Sequence, residues 1–119
     1  MKLIINKNEF TLTLNNNKTV KDILEMLPLK LELERYANHE YYGVLPKKPS
    51  IEGVPMTSSA YAGGIYYYDG WNAFTVLYGD AQIDPFKVVH IGKVDNESII
   101  ELLKYSENTI TVKLETVDS

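Results

Sequence analysis

Two histidines, His39 and His90, have free pKa values near neutrality, which makes them the first candidates for acid–base work. His90 stands in the run Val88-Val89-His90-Ile91-Gly92, and with a nearby carboxylate such as Glu40 or Asp80 it would form an acid–base pair. That makes His90 the candidate catalytic residue. The plainer reading of a histidine in an apolar strand is a partly buried, hydrogen-bonded side chain. His39, between Asn38 and Glu40, is expected to be exposed in a turn. A metal site needs three or four converging ligands, yet the chain has no cysteine and no H-x-H, H-x-x-x-H or H-E-x-x-H spacing. No metal or cofactor is expected. Ser50, Ser58 and Ser59 lack a G-x-S-x-G elbow, and Gly63-Gly64 fits neither phosphate-loop pattern. Close backbone approach at a strand bend accounts for that glycine pair.

Aromatic side chains carry the stronger signal. The segment from Tyr61 to Gly79 holds the single tryptophan and five of the nine tyrosines, arranged as a glycine pair, an aromatic run, Asp69-Gly70 and a second apolar run. It reads as a β-hairpin, with Asp69-Gly70 expected to form a two-residue type I′ turn. Alternation sets Tyr66 and Tyr68 on one face of the first strand and Ile65 and Tyr67 on the other. A small barrel interior cannot hold all of these rings, so an external groove is expected from among Tyr41, Tyr42, Tyr61, Tyr66, Tyr68 and Trp71. The residues expected to bind a ligand there are Tyr42, Tyr61, Tyr66, Tyr68 and Trp71. Between Pro46 and Ser59 runs the longest stretch without periodicity, which reads as a lid.

The elements that must position these side chains follow from period. Lys2 to Asn6 and Glu9 to Leu14 form a first hairpin; Thr19 is expected to cap a helix with Val20, Ile23, Leu24 and Leu27 on its apolar face, stopped by Pro28. Leu29, Leu31 and Leu33 then alternate with Lys30, Glu32 and Glu34, up to Arg35-Tyr36, and Glu40 to Leu45 is a partner strand. Lys87 to Val94 is a further strand, Ser98 to Tyr105 a second helix, and Thr109 to Val117 a closing strand. The expectation is eight strands and two short helices in a single domain spanning 1–119.

Composition bounds the partners. A net charge of -4, with Arg35 as the only arginine and Lys47-Lys48 as the only adjacent basic pair, argues against nucleic acid. No apolar run approaches the roughly 20 residues of a membrane helix, so no membrane partner and a cytoplasmic location are expected. A secreted domain lacking its signal peptide would read the same way.

Two strands, a helix, five strands, a helix and a last strand is an element order similar to that of the cyclophilin barrel. Val88-Val89-His90-Ile91-Gly92-Lys93-Val94 resembles the H-V-V-F-G-K-V segment of cyclophilins. More widely, the chain resembles the small bacterial cyclophilin-like proteins. Met26-Leu27-Pro28-Leu29 matches their M-L-P-L, Tyr41 to Pro46 their Y-Y/F-x-L-P segment, and Ile91 to Asp95 their L-G-K/R-I/V-D step. Ala62 to Tyr68 follows A-G-D-I-x-Y-Y/W except that Gly64 replaces the aspartate.

The resemblance implies a mainly β fold: a closed, eight-stranded antiparallel cyclophilin-like β-barrel with two short capping helices. It implies no reaction, because that family's function is largely uncharacterised. Cyclophilins set an arginine, an aromatic pocket and a glutamine on the outer face. Arg35 lacks the F-H-R context and Gln82 the F-x-x-Q-G-G-D context, so no prolyl isomerase activity is expected. The expectation is a domain that binds a small molecule or an extended peptide in an aromatic surface groove. The alternative is a small enzyme using His90 with a carboxylate. Either a monomer or a weak homodimer, joined through an aromatic edge or face, fits the chain.

Overall fold

Runs that alternate apolar and polar residues bury one face and wet the other, and a sheet of such strands is satisfied by curling around its apolar side. The computed structural model, which describes residues 1–117, shows that closure. In chain order the elements are β1 (Lys2–Ile5), β2 (Asn8–Leu14), α1 (Lys18–Leu24), β3 (Leu29–Tyr36), β4 (Glu40–Val44), β5 (Ser59–Ala60) and β6 (Gly64–Tyr68). They continue with β7 (Ala73–Leu77), β8 (Ala81–Gln82), β9 (Val89–Val94), α2 (Ser98–Lys104) and β10 (Thr109–Glu115). The barrel order is β1-β10-β3-β4-β7-β6-β9-β2, with every neighbour antiparallel, while β5 and β8 pair as a separate two-stranded ribbon.

Inside lie Leu3, Ile5, Leu33, Tyr41, Ile65, Tyr67, Phe74, Val76, Ile91 and Leu114, all fully enclosed. The helices stopper the barrel. Since β2 and β9 run antiparallel, α1 after β2 and α2 after β9 cap opposite ends. Val20 and Ile23 of α1, and Ile99 and Leu103 of α2, plug those ends. Burying a side chain such as Ile23 or Leu103 stabilises by about 1.5 to 3 kcal/mol.

Three local expectations are corrected. Asn17, not Thr19, caps α1, its side chain accepting from the Val20 N–H at 2.9 Å. Thr19 is buried and donates instead to the Ser50 carbonyl at 2.7 Å. The type I′ geometry belongs to the first hairpin, where Asn6 and Lys7 hold φ of 49° and 72° between the paired residues Ile5 and Asn8. Asp69 to Trp71 instead forms a 3₁₀ turn followed by Asn72 at φ 49°. There Asn72 fastens the turn inward: its carboxamide accepts from Tyr67 Oη at 2.6 Å and donates to the Leu45 and Lys47 carbonyls at 3.1 Å each.

The third correction concerns the proline-rich loop. Its first part packs Ile51, Val54 and Met56 against the core, and the Ser50 N–H donates to Asp22 of α1 at 2.8 Å. That hydrogen bond, with the nearby Lys18 ammonium, holds the Asp22 carboxyl below the usual carboxylate range. This part therefore closes the α1 end and is no lid. Only its last residues, through Thr57 and β5, reach the outer face of the barrel.

Candidate functional site

Period two sends Glu40 and Tyr42 of β4, Ala73, Thr75 and Leu77 of β7, and Gly64, Tyr66 and Tyr68 of β6 to the outside. Register then sets them in rows: Tyr36, Glu40 and Leu77 are neighbours across β3, β4 and β7, as are Glu34, Tyr42, Thr75, Tyr66 and His90 across β3, β4, β7, β6 and β9. Small side chains on β7 make a trough between larger ones.

Across this trough fold the 3₁₀ turn and the segment carrying β8. Tyr66 and Leu77 pack with Ala60 and Val88 in a second apolar cluster on the barrel's outer surface, flanked by Tyr68 and Ile83. What remains open is a groove of about 160 Å³ with Ala73, Thr75 and Leu77 as its floor. Its aromatic walls are Tyr36, Tyr68, Trp71 and Phe86. Trp71 stands between the two sides, 5.4 Å from Tyr36 at an interplanar angle of 89° and 5.6 Å from Tyr68 at 74°. Tyr68 in turn meets Phe86 at 6.0 Å and 81°.

Among the described residues one carboxylate reaches this apolar groove. Glu40 is among its lining residues, and its Oε1 lies 2.9 Å from Nε2 of His39. Burial pushes the Glu40 carboxyl above its ordinary range, opposed by the charge and hydrogen bond of His39. His39 is thus half-buried against Glu40 instead of exposed in its turn. Burial also raises the Tyr66 phenol, whose oxygen accepts the Tyr61 N–H at 3.0 Å.

Tyr66, Tyr68 and Trp71 line the groove, and Tyr42 packs on Trp71 at 5.4 Å just outside it. Tyr61 is elsewhere, its side chain mostly in solvent. Tyr41 points into the barrel. His90 is exposed on the outer face, its ring stacked on Tyr66 at 4.8 Å and its Nε2 3.0 Å from the Gly92 carbonyl. Among the described residues it has no carboxylate partner: Glu40 is taken by His39, and Asp80 accepts from the Ala62 N–H at 2.8 Å. Nor do three or more His, Asp or Glu among the described residues come together to hold a metal ion.

Tyr36 and Phe86 are walls that the sequence reading left out. Alternation from Leu29 onward does send Tyr36 outward, whereas Phe86 lies in an aperiodic loop that offers no comparable signal. Arg35, one residue from Tyr36, turns inward. Its guanidinium donates to Tyr41 and Tyr78 hydroxyls at 2.7 Å each and to the Ser106 carbonyl at 2.5 Å, tying β3 to the α2 end of the barrel.

Comparison with known proteins agrees with this architecture. The solution structure of the hypothetical protein AF2241 from Archaeoglobus fulgidus superposes with a TM-score of 0.63 at 19% identity, covering 96% of this chain and 91% of that one. At that identity the likeness speaks for fold. No curated protein matches the chain. Among the described residues no helix is long and apolar enough to cross a membrane. The model of the Cyclophilin-like family matches residues 3–115, so that strand order, capping helices and sequence pattern converge, and the chain belongs to the cyclophilin-like family.

Proposed function

We propose that this protein is a binding domain whose outer-face groove takes a small molecule, and that it lacks prolyl isomerase activity. The carrying observation is the groove itself, an apolar trough of about 160 Å³ walled by Tyr36, Tyr68, Trp71 and Phe86. Concave sites lined by aromatic rings with one or two placed polar groups are what ligand pockets look like. Pockets for drug-sized ligands are roughly 300 to 1,000 Å³, so the size favours a small compound or a single side chain over an extended peptide.

Against isomerisation stands the disposition of Arg35. An arginine that polarises a twisting imide must face the ligand, and this guanidinium is spent on Tyr41, Tyr78 and Ser106 inside the barrel end. Closure of the main sheet leaves it no free strand edge, which favours a monomer.

A thermal-shift screen of small aromatic and aliphatic compounds tests the reading. A true ligand at a hundred times its Kd stabilises by about 2.7 kcal/mol, and Trp71→Ala should abolish the shift. Hits that persist unchanged in Trp71→Ala would move the site elsewhere. Acceleration of proline-peptide isomerisation, lost in Trp71→Ala, would defeat the non-catalytic part; Arg35→Ala is the wrong control there because it breaks the fold's own contacts.

A further inference from the structure

We infer that the groove takes a small organic ammonium cation, held between the rings of Tyr36, Tyr68 and Trp71 and the carboxylate of Glu40. This rests on the groove being a ligand site and narrows it to a chemical class.

Ring geometry is the first support. Tyr36 and Trp71 meet at 89°, Tyr68 and Trp71 at 74°, and Tyr68 and Phe86 at 81°. Rings at right angles form corners instead of stacks, and an edge-to-face contact covers at most one face of one ring of the pair. The negative face of an aromatic ring attracts a cation within about 6 Å, and tryptophan does so best. Several such walls around one space make a box for a cation bearing methyl groups.

Charge supplies the second support. Among the described residues Glu40 is the only carboxylate lining the groove, and no lysine, arginine or histidine among them lines it. Its Oε1 faces Nε2 of His39 at 2.9 Å, while no donor among the described residues reaches Oε2. Because no enclosed side-chain oxygen or nitrogen among those residues lacks a partner, that second oxygen is open instead of sealed. The carboxyl group of Glu40 is the acidic group a cation would meet there. The net charge of -4 adds a weak field of the same sign.

Size and hydration select the kind of cation. A bare ammonium holds its water strongly and would surrender it to an apolar groove with few acceptors. A methylated ammonium sheds water more easily and offers methyl groups to the rings, matching aromatic walls with one carboxylate. The volume of about 160 Å³ suits a head group of that size.

The test compares choline with its neutral carbon isostere, in which carbon replaces the nitrogen, by titrating the fluorescence of Trp71 in the unmodified protein. Choline should bind about tenfold tighter than the isostere or better, the difference expected of cation–aromatic and carboxylate contacts together. Glu40→Gln should remove most of that preference and leave the isostere within about twofold, and Tyr105→Ala, at an exposed residue that does not line the groove, should change neither. Equal affinity for the two compounds, or binding of the isostere alone, overturns the cation and leaves an apolar ligand groove standing. Failure of both also overturns it, with the groove then judged by the broader screen. A trimethyl-lysine peptide binding tenfold tighter than choline would overturn the assignment to a free small molecule. Apart from Glu40→Gln and Tyr105→Ala, none of these arms requires a variant to fold.

Discussion

Replacing Gly64 with alanine would set a Cβ 2.5 Å from Cε2 of Tyr66, 3.0 Å from its Cζ and 2.9 Å from the Tyr61 carbonyl oxygen. No carbon sits that close, so something must move. The ring has little freedom to do so: Tyr66 is 2% exposed, stacked under His90 at 4.8 Å and pinned by the Tyr61 N–H at 3.0 Å. Forcing a methyl into such packing costs about 1 to 3 kcal/mol. Lifting the phenol off the Tyr61 amide adds about 0.5 to 1.5 kcal/mol. Gly64→Ala should therefore destabilise by about 2 to 4 kcal/mol, and Gly64→Asp by at least as much.

Equilibrium denaturation of a double-mutant cycle with Tyr66→Leu isolates the cause. With the ring gone, the cost of Gly64→Ala should fall by about 1 kcal/mol or more, the remainder coming from the Tyr61 carbonyl. An identical penalty in both backgrounds would refute the argument, because it would show that the backbone, and not Tyr66, resists the side chain. A confirmed coupling would tie the chain's departure from the aspartate of the resembling pattern to the groove: here the glycine leaves room for the ring beneath it.

Arg35→Ala should cost about 2 to 4 kcal/mol, since it strips charge-assisted donors from the enclosed Tyr41 and Tyr78 hydroxyls, and Arg35→Lys should recover less than half because an ammonium lacks the fork; a loss under about 0.5 kcal/mol in denaturant would contradict the assigned role. Burial, then the nearby Asp69 charge, pushes the Tyr67 phenol from 10 up to about 12. The folded state thus favours the neutral form, so stability is unaffected below pH 10 and falls as pH rises from 10 to about 12; Tyr67→Phe should flatten that fall in chemical denaturation, and an unchanged slope would count against it. Lys7→Gly, at φ 72° in the first hairpin, relieves a left-handed side chain and should stabilise by about 0.5 to 1 kcal/mol, with any loss of stability telling against the turn geometry.

Strand alternation carried most of the architecture. Leu31 and Leu33 go in and Glu32 and Glu34 go out because period two leaves no choice once one face is apolar, and the same rule sends Ile65 and Tyr67 inward and Tyr66 and Tyr68 outward. Turn and cap chemistry was less legible, since competing sites differ by little. Asn17 and Thr19 can both cap, and the decision lay with Ser50, which accepts the Thr19 hydroxyl from a loop thirty-one residues away. Asp69-Gly70 lost its two-residue turn because Asn72 finds three partners by lengthening it.

The groove was half legible for a related reason. Tyr66 and Tyr68 belong to its surface by alternation, but its other members come from segments that only barrel closure brings together: Tyr36 from β3, Glu40 from β4, Trp71 from a turn, Phe86 from a loop. The carboxylate shows the point most clearly. In the sequence Glu40 is one of sixteen acidic residues and offers itself as a partner for His90 as readily as for anything else. The register Tyr36↔Glu40 and Glu40↔Leu77 sets it at the groove, next to the one histidine that sequence adjacency placed beside it all along. Adjacent residues on a strand point to opposite faces, which argues against such a pair; His39 escapes that rule because it still belongs to the turn, where Ala37 holds φ 54° and the backbone swings the imidazole onto the outer face. A three-residue turn thus does what strand periodicity forbids, and it is this turn that brings His39 to one oxygen of Glu40 at the lining of the groove.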